Sequence, residues 1–203
     1  MRTMQSNDNG FTGLEAAIVL IAFVVVAAVF SYVVLGAGFF TTQKAQQTIH
    51  TSVEQASSTL EIVGDVYGTG SGTGSSSSTI KYINFSIALA PGGTAIDFSK
   101  VVITYSNATI LETLASNSNE TTVVTQPTQG SWAITAVQNP PGGDITNVSC
   151  LLQPDEQFQI SCEPMYPIII NDQITIEVKP AVGAAFSITR TTPAAINAVN
   201  SLY

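Results

Sequence analysis

Few side chains in this sequence have the type and spacing to do chemistry. His50 is the only histidine, and no nucleophile or acid joins it in a recognisable constellation, so a solvated or inter-helix polar contact is expected over general-base work. Cys150 and Cys162 have no histidine or further cysteine at metal-ligand spacing. The stretch CLLQPDEQFQISC alternates on both sides of a Pro-Asp-Glu turn signal, so a hairpin would set the two cysteines opposite one another. A disulfide or two buried thiols both fit that register, the first only in an oxidising compartment. Asn84, Asn107, Asn119 and Asn147 head N-x-[ST] sequons, of which Asn84 and Asn147 fall in strand patterns and are usable only if they face solvent. QPDE and GGD could supply oxygens to a calcium ion, but turn chemistry explains them better. The most unusual group is Glu15, a single carboxylate at the mouth of an otherwise uncharged apolar run. A carboxylate costs roughly 2.5 to 3.5 kcal/mol near a membrane helix centre and less near its end, so Glu15 either reaches water or has a specific partner.

No P-loop, dinucleotide fingerprint, nucleophile elbow or zinc motif is present, so no enzyme activity, cofactor or metal is expected. The balance of 14 acidic to 6 basic residues, net −8, argues against nucleic acid and anionic membrane surfaces as partners, because scattered cations cannot neutralise a phosphate track. Abundant Ser and Thr with only 10% charged residues suit an extracellular protein.

The elements that must carry these residues follow from composition. Residues 1–10 are polar and turn-forming, and residues 11–63 contain no proline. Within them, residues 14–40 are apolar apart from Ser31, Tyr32 and two glycines, with Glu15 as the one charge. At 1.5 Å per residue such a helix runs about 40 Å, more than the roughly 30 Å hydrocarbon core of a bilayer. Beyond it Ile49, Val53, Ala56, Leu60 and Val63 recur at heptad spacing, which predicts a continuous helix over 11–63 that seeks copies of itself; a membrane anchor with a short amphipathic stalk is the plainer alternative. Gly36 and Gly38 within it suit close helix approach, a gentle bend or simple tolerance. Residues 64–79 read as a Gly/Ser-rich linker. Residues 80–203 read as eight or so short strands: IKYINFSIAL, KVVITYS, TTVVT, SWAITAV, NVSCLL, QFQISC, DQITIEVK and AAFSITR. The predicted fold class is α+β, a long N-terminal helix followed by an all-β antiparallel sandwich or barrel, Ig-like in character.

A secretory signal places its cleavage site after an apolar core of 7–15 residues, whereas here the core is far longer and lacks such an exit. The polar leader ending in Gly10, then Phe11, Gly13, Glu15 and an unbroken aliphatic helix resemble the class III leader of type IV pilins and archaeal flagellins (archaellins). The stretch FTGLEAAIVLIAFVVVAAVFSYVVLGAGFFTTQKAQ is closer to methanogen archaellins than to bacterial pilins. The resemblance is carried by motif over residues 10–63 and by architecture alone over 80–203.

The resemblance implies that a membrane prepilin-type peptidase cuts after Gly10, leaving the helix in the mature chain with Phe11 at its head. It implies a precursor held in the cytoplasmic membrane and a homo-oligomeric extracellular filament, the archaellum, whose helices form the core and whose β-domains form the wall. It also implies N-glycosylation at some of the sequons. Glu15 then lies one helical turn from the new ammonium of Phe11, and in pilin-like families that charge is met by the N-terminus of a neighbouring subunit. A first-turn glutamate favouring the helix dipole is the simpler reading. The function expected is a filament subunit for swimming; an adhesive pilin and a membrane-anchored binding module are the alternatives, and a plain anchor needs neither Gly10 nor Glu15.

Overall fold

A computed structural model describes residues 9–72, 79–117, 123–143 and 149–203. The bulk of the leader and the sequons at Asn119 and Asn147 lie outside the described residues. Two units emerge, Met1–Thr51 and Ser52–Tyr203.

Helix α1 spans Asn9–Ser57. Its apolar half has no proline and, among Ser, Thr, Asn and Asp, only Ser31 between residues 14 and 40, so little in it offers the backbone an alternative to i→i−4 bonding. In its polar half Thr41, Thr42, Thr48 and Thr51 turn their hydroxyls onto the carbonyls of Ala37, Gly38, Lys44 and Gln47 at 2.8–3.1 Å, which keeps four threonines inside the helix. Every side chain from Gly13 to Ala56 is exposed, and the most apolar window reaches a mean hydropathy of 3.0.

The helix expected over 11–63 ends at Ser57. Ser58 donates both its amide (2.9 Å) and its hydroxyl (2.7 Å) to the Glu54 carbonyl, and the chain then enters strand β1, Leu60–Gly70. Leu60 and Val63 therefore belong to a strand and not to a heptad seam. Strand β2, Ile80–Leu89, pairs Leu60 with Leu89 and Val63 with Ser86, and burial of Leu60 at 2% exposure outweighs the weak helical periodicity. The linker expected over 64–79 is likewise part strand. Gly64, with φ of +83°, lies in the register shift between Val63 and Tyr67, so the glycine marks a bulge and pairing continues to Gly70. Residues 73–78 of that expected linker lie outside the described residues.

The remaining strands are β3 (Ile96–Asp97), β4 (Val102–Ser106), β5 (Leu111–Ser116), β6 (Ser131–Gln138), β7 (Leu151–Leu152), β8 (Gln157–Glu163), β9 (Gln173–Lys179), β10 (Phe186–Thr191) and β11 (Val199–Ser201). Nine form one sheet in the order β10-β9-β4-β5-β6-β8-β2-β1-β11, and β3 with β7 forms a second, two-stranded one. All pairings are antiparallel except β5 with β6, where Ala115 faces Ser131. The large sheet curls on itself: Thr191 at the end of β10 and Tyr203 just beyond β11 exchange backbone hydrogen bonds of 2.6 and 3.3 Å, joining its two outer strands. Inside the curl Phe98 meets Trp132 and Phe158 edge-on at 6.4 and 5.2 Å. Phe98 is delivered there by a single 3-10 turn, Phe98–Lys100, which Asp97 caps by accepting from the Ser99 amide. The α+β class with a barrel-like β-domain is as expected. TTVVT forms no strand among its described residues, whereas β1, β3, β5 and β11 were not anticipated.

Candidate functional site

The feature that sets this chain apart is the surface of α1. A helix apolar on all sides is stable only where something apolar surrounds it, and within this chain residues 13–56 are all exposed. Val19, Leu20 and Phe23 follow Glu15 on neighbouring turns and are 66–73% exposed. The next charged residue of the helix is Lys44, 29 positions on. That is about 43 Å along the axis. Among the described residues Glu15 has no salt bridge. It is a lone carboxylate on an apolar rod, one helical turn after Phe11. The backbone of Gly10 and Phe11 lies in the first turn of α1, where intrahelical amide bonds are missing and fraying is cheapest.

Gly13, Gly36 and Gly38 face open space, with no atom within 4 Å of the position a Cβ would take. His50 is exposed on the polar half of the helix, and no nucleophile is bonded to it among the described residues.

The β-domain arranges the other candidates differently from the expected hairpin. Cys162, fully buried in β8, lies between Ile83 of β2 and Trp132 of β6. Cys150 stands just before β7, where its carbonyl accepts from Phe98 N–H at 2.7 Å, and β7 pairs with β3 and not with β8. The two cysteines are therefore not cross-strand neighbours, and both are buried thiols instead of the expected disulfide. Burial pushes the Cys162 thiol well above its ordinary range, which leaves it protonated and inert.

QPDE is turn chemistry. Asp155 takes a φ of +68°, and the Glu156 carboxylate folds back to accept from Gln153 N–H at 2.9 Å. Loss of water raises the Glu156 pKa, with the Gln153 bond opposing that shift. No cluster of three metal-ligating side chains occurs among the described residues. Asp144 of GGD lies outside them.

Asn84 sits in the middle of the large sheet, paired with Tyr67 on one side and Ser161 on the other, half-buried, its amide donating to Thr69 Oγ1 at 3.0 Å. Asn107 opens the β4–β5 turn instead. Its Oδ1 accepts from Thr109 N (3.0 Å), Thr109 Oγ1 (3.2 Å) and Ile110 N (2.8 Å), while its Nδ2 donates to Asp172 at 3.0 Å. The sequon hydroxyl of the exposed Thr109 and the amide oxygen of the half-buried Asn107 are thus already in contact.

The model of the archaeal-type flagellin family matches residues 10–190. The chain is 40% identical to probable flagellin 1 of Archaeoglobus fulgidus over 204 residues, spanning 95% of this chain and 94% of that one. Over 32 residues, 16% of this chain and all of that sequence, it is 91% identical to a 24 kDa flagellin of Methanospirillum hungatei. Among solved structures, the archaeal flagellum of Methanospirillum hungatei strain JF1 is similar with a TM-score of 0.66 and 32% identity, covering 94% of this chain and 98% of that one.

Proposed function

This chain belongs to the archaeal-type flagellin family, and we propose that it is a structural subunit of an archaeal flagellum filament, assembled through α1 and used for swimming. The observation that carries this reading is the exposed apolar surface of residues 14–40 of α1, in a chain whose β-domain is well packed. Burying one Val, Leu, Ile or Phe side chain stabilises by about 1.5–3 kcal/mol, so a handful of such residues per subunit suffices to hold a polymer of identical helices. The same surface is satisfied in a bilayer, so the subunit passes from membrane to filament with little net loss of burial.

Processing completes the scheme. A prepilin-type peptidase cuts between Gly10 and Phe11, with Gly13 part of the recognised sequence, and the helix stays in the mature chain. Cleavage creates an ammonium at Phe11. Two opposite charges removed from water together offset much of each other's desolvation, whereas Glu15 alone costs several kcal/mol. The carboxylate then sets register, because only one axial position brings it to the N-terminus of a neighbouring subunit. The wall carries N-linked sugars at two or more of Asn84, Asn107, Asn119 and Asn147, and the turn around Asn107 supports that site best. The family is structural, and catalysis has no part in the scheme. Intact-mass measurement of purified filaments tests the processing: an N-terminus at Phe11 is expected, and a mature chain beginning at Met1 contradicts it.

A further inference from the structure

The β-domain exposes an apolar surface of its own. Between β8 and β9 the segment MYPIIIN contains no charged residue, and Met165, Tyr166, Ile169 and Ile170 are 50, 57, 58 and 45% exposed. This is not a loose loop. Ile168 is buried and exchanges backbone hydrogen bonds with Ile80 at 2.8 and 3.1 Å. Met165 N donates to the Glu112 carboxylate at 2.9 Å, and Met165 O accepts from Gln129 at 2.7 Å. Thr192 Oγ1 donates to the carbonyl of Ile169 at 2.7 Å. The backbone is therefore fixed from β5, the turn before β6, β2 and the residue after β10 at once, while four large side chains are held outward.

We propose that loop 165–170 is a lateral contact through which the β-domain of one copy of this chain seats against a second copy in the filament. The inference rests on the filament reading above, which surrounds each β-domain with identical ones. The filament reading supplies the occupant, and charge selects the place. Copies that each carry −8 repel through most of their surface, and an uncharged apolar stretch is where like-charged domains approach at least cost. A rigid backbone also means that docking orders side chains alone, which reduces the entropy lost on contact. In a helical polymer such a contact is heterologous, so the loop meets a different surface of the next copy and propagates without closing.

The test places a cysteine at the exposed Ile169 in the full chain, Ile169→Cys, and compares its rate of maleimide labelling in intact filaments with that in detergent-dissociated subunits. Cys150 and Cys162 are buried and give little background. Labelling at least tenfold slower in filaments is expected. Equal rates in the two states overturn the lateral contact, and so does protection already present in dissociated subunits, which would mean that the chain covers the loop itself. Failure of the unchanged chain to form filaments contradicts the filament reading, whereas filaments that label freely contradict the contact alone.

Discussion

Glu15 and Asn107 ask different things of a single side chain. Glu15 is costly wherever α1 is buried, so its replacement separates storage from assembly. Glu15→Gln or Glu15→Ala is expected to leave membrane insertion intact, as read by fractionation, while filament yield falls sharply; normal filaments from either variant would make the carboxylate incidental. Asn107 differs from Asn84 in setting and not in burial: both are half-buried and hydrogen-bonded, but Asn84 lies within a strand paired on both sides whereas Asn107 heads a turn. Glycopeptide mapping is expected to find sugar on Asn107 and none on Asn84, and the reverse occupancy would refute the argument from turn geometry. Glu156 ties stability to pH. Its folded pKa is raised by burial, so the protonated form is favoured by folding and its contribution is full below the ordinary carboxylate range, about 4.3, and is lost as pH rises through the raised value. Glu156→Gln keeps an acceptor for Gln153 N–H without the charge, so thermal melts should show a variant more stable than the parent at neutral pH and equal to it in acid. A variant less stable at neutral pH would show that the charged form is the one the fold prefers.

At the scale of elements the sequence was legible where one signal dominated. The unbroken apolar run announced α1, and alternation with aromatic and β-branched residues announced β2, β6, β8 and β9. It was illegible where local pattern and tertiary pairing disagreed. Leu60 and Val63 continue a heptad count, yet the partner that buries them is β2, which comes later in the chain. The apparent hairpin across QPDE failed for the same reason: β7 and β8 flank a good turn but pair with β3, β2 and β6, which no local register reveals. The surface loop 165–170 escaped notice because Ile and Met in sequence read as core. The strand assignment of Leu60 is testable. Leu60→Ala removes a buried side chain from the β-domain and should cost about 2–5 kcal/mol in thermal or denaturant unfolding. A loss below 1 kcal/mol, as for an exposed helix position, would restore the longer helix. Gly183→Ala tests the junction after α1, because Gly183 takes a φ of +112° and an added methyl would collide with the Ser58 carbonyl. A marked loss of stability is expected, and an unchanged melt would mean that the Ser58 turn yields.

The whole molecule joins two solutions to burial in one chain. The β-domain closes its own aromatic core around Phe98, Trp132 and Phe158, whereas α1 leaves its apolar surface exposed, which on the proposed assembly copies of itself cover. Membership in the archaeal-type flagellin family and the likeness to a solved archaeal flagellum agree with that division of labour. The most direct test is electron cryo-microscopy of filaments purified from cells that produce this chain. The account predicts a helical polymer with the apolar helices packed along the axis, the β-domains outside and Glu15 beside a neighbouring Phe11 ammonium. Absence of filaments, or filaments in which residues 13–40 face solvent, would contradict it.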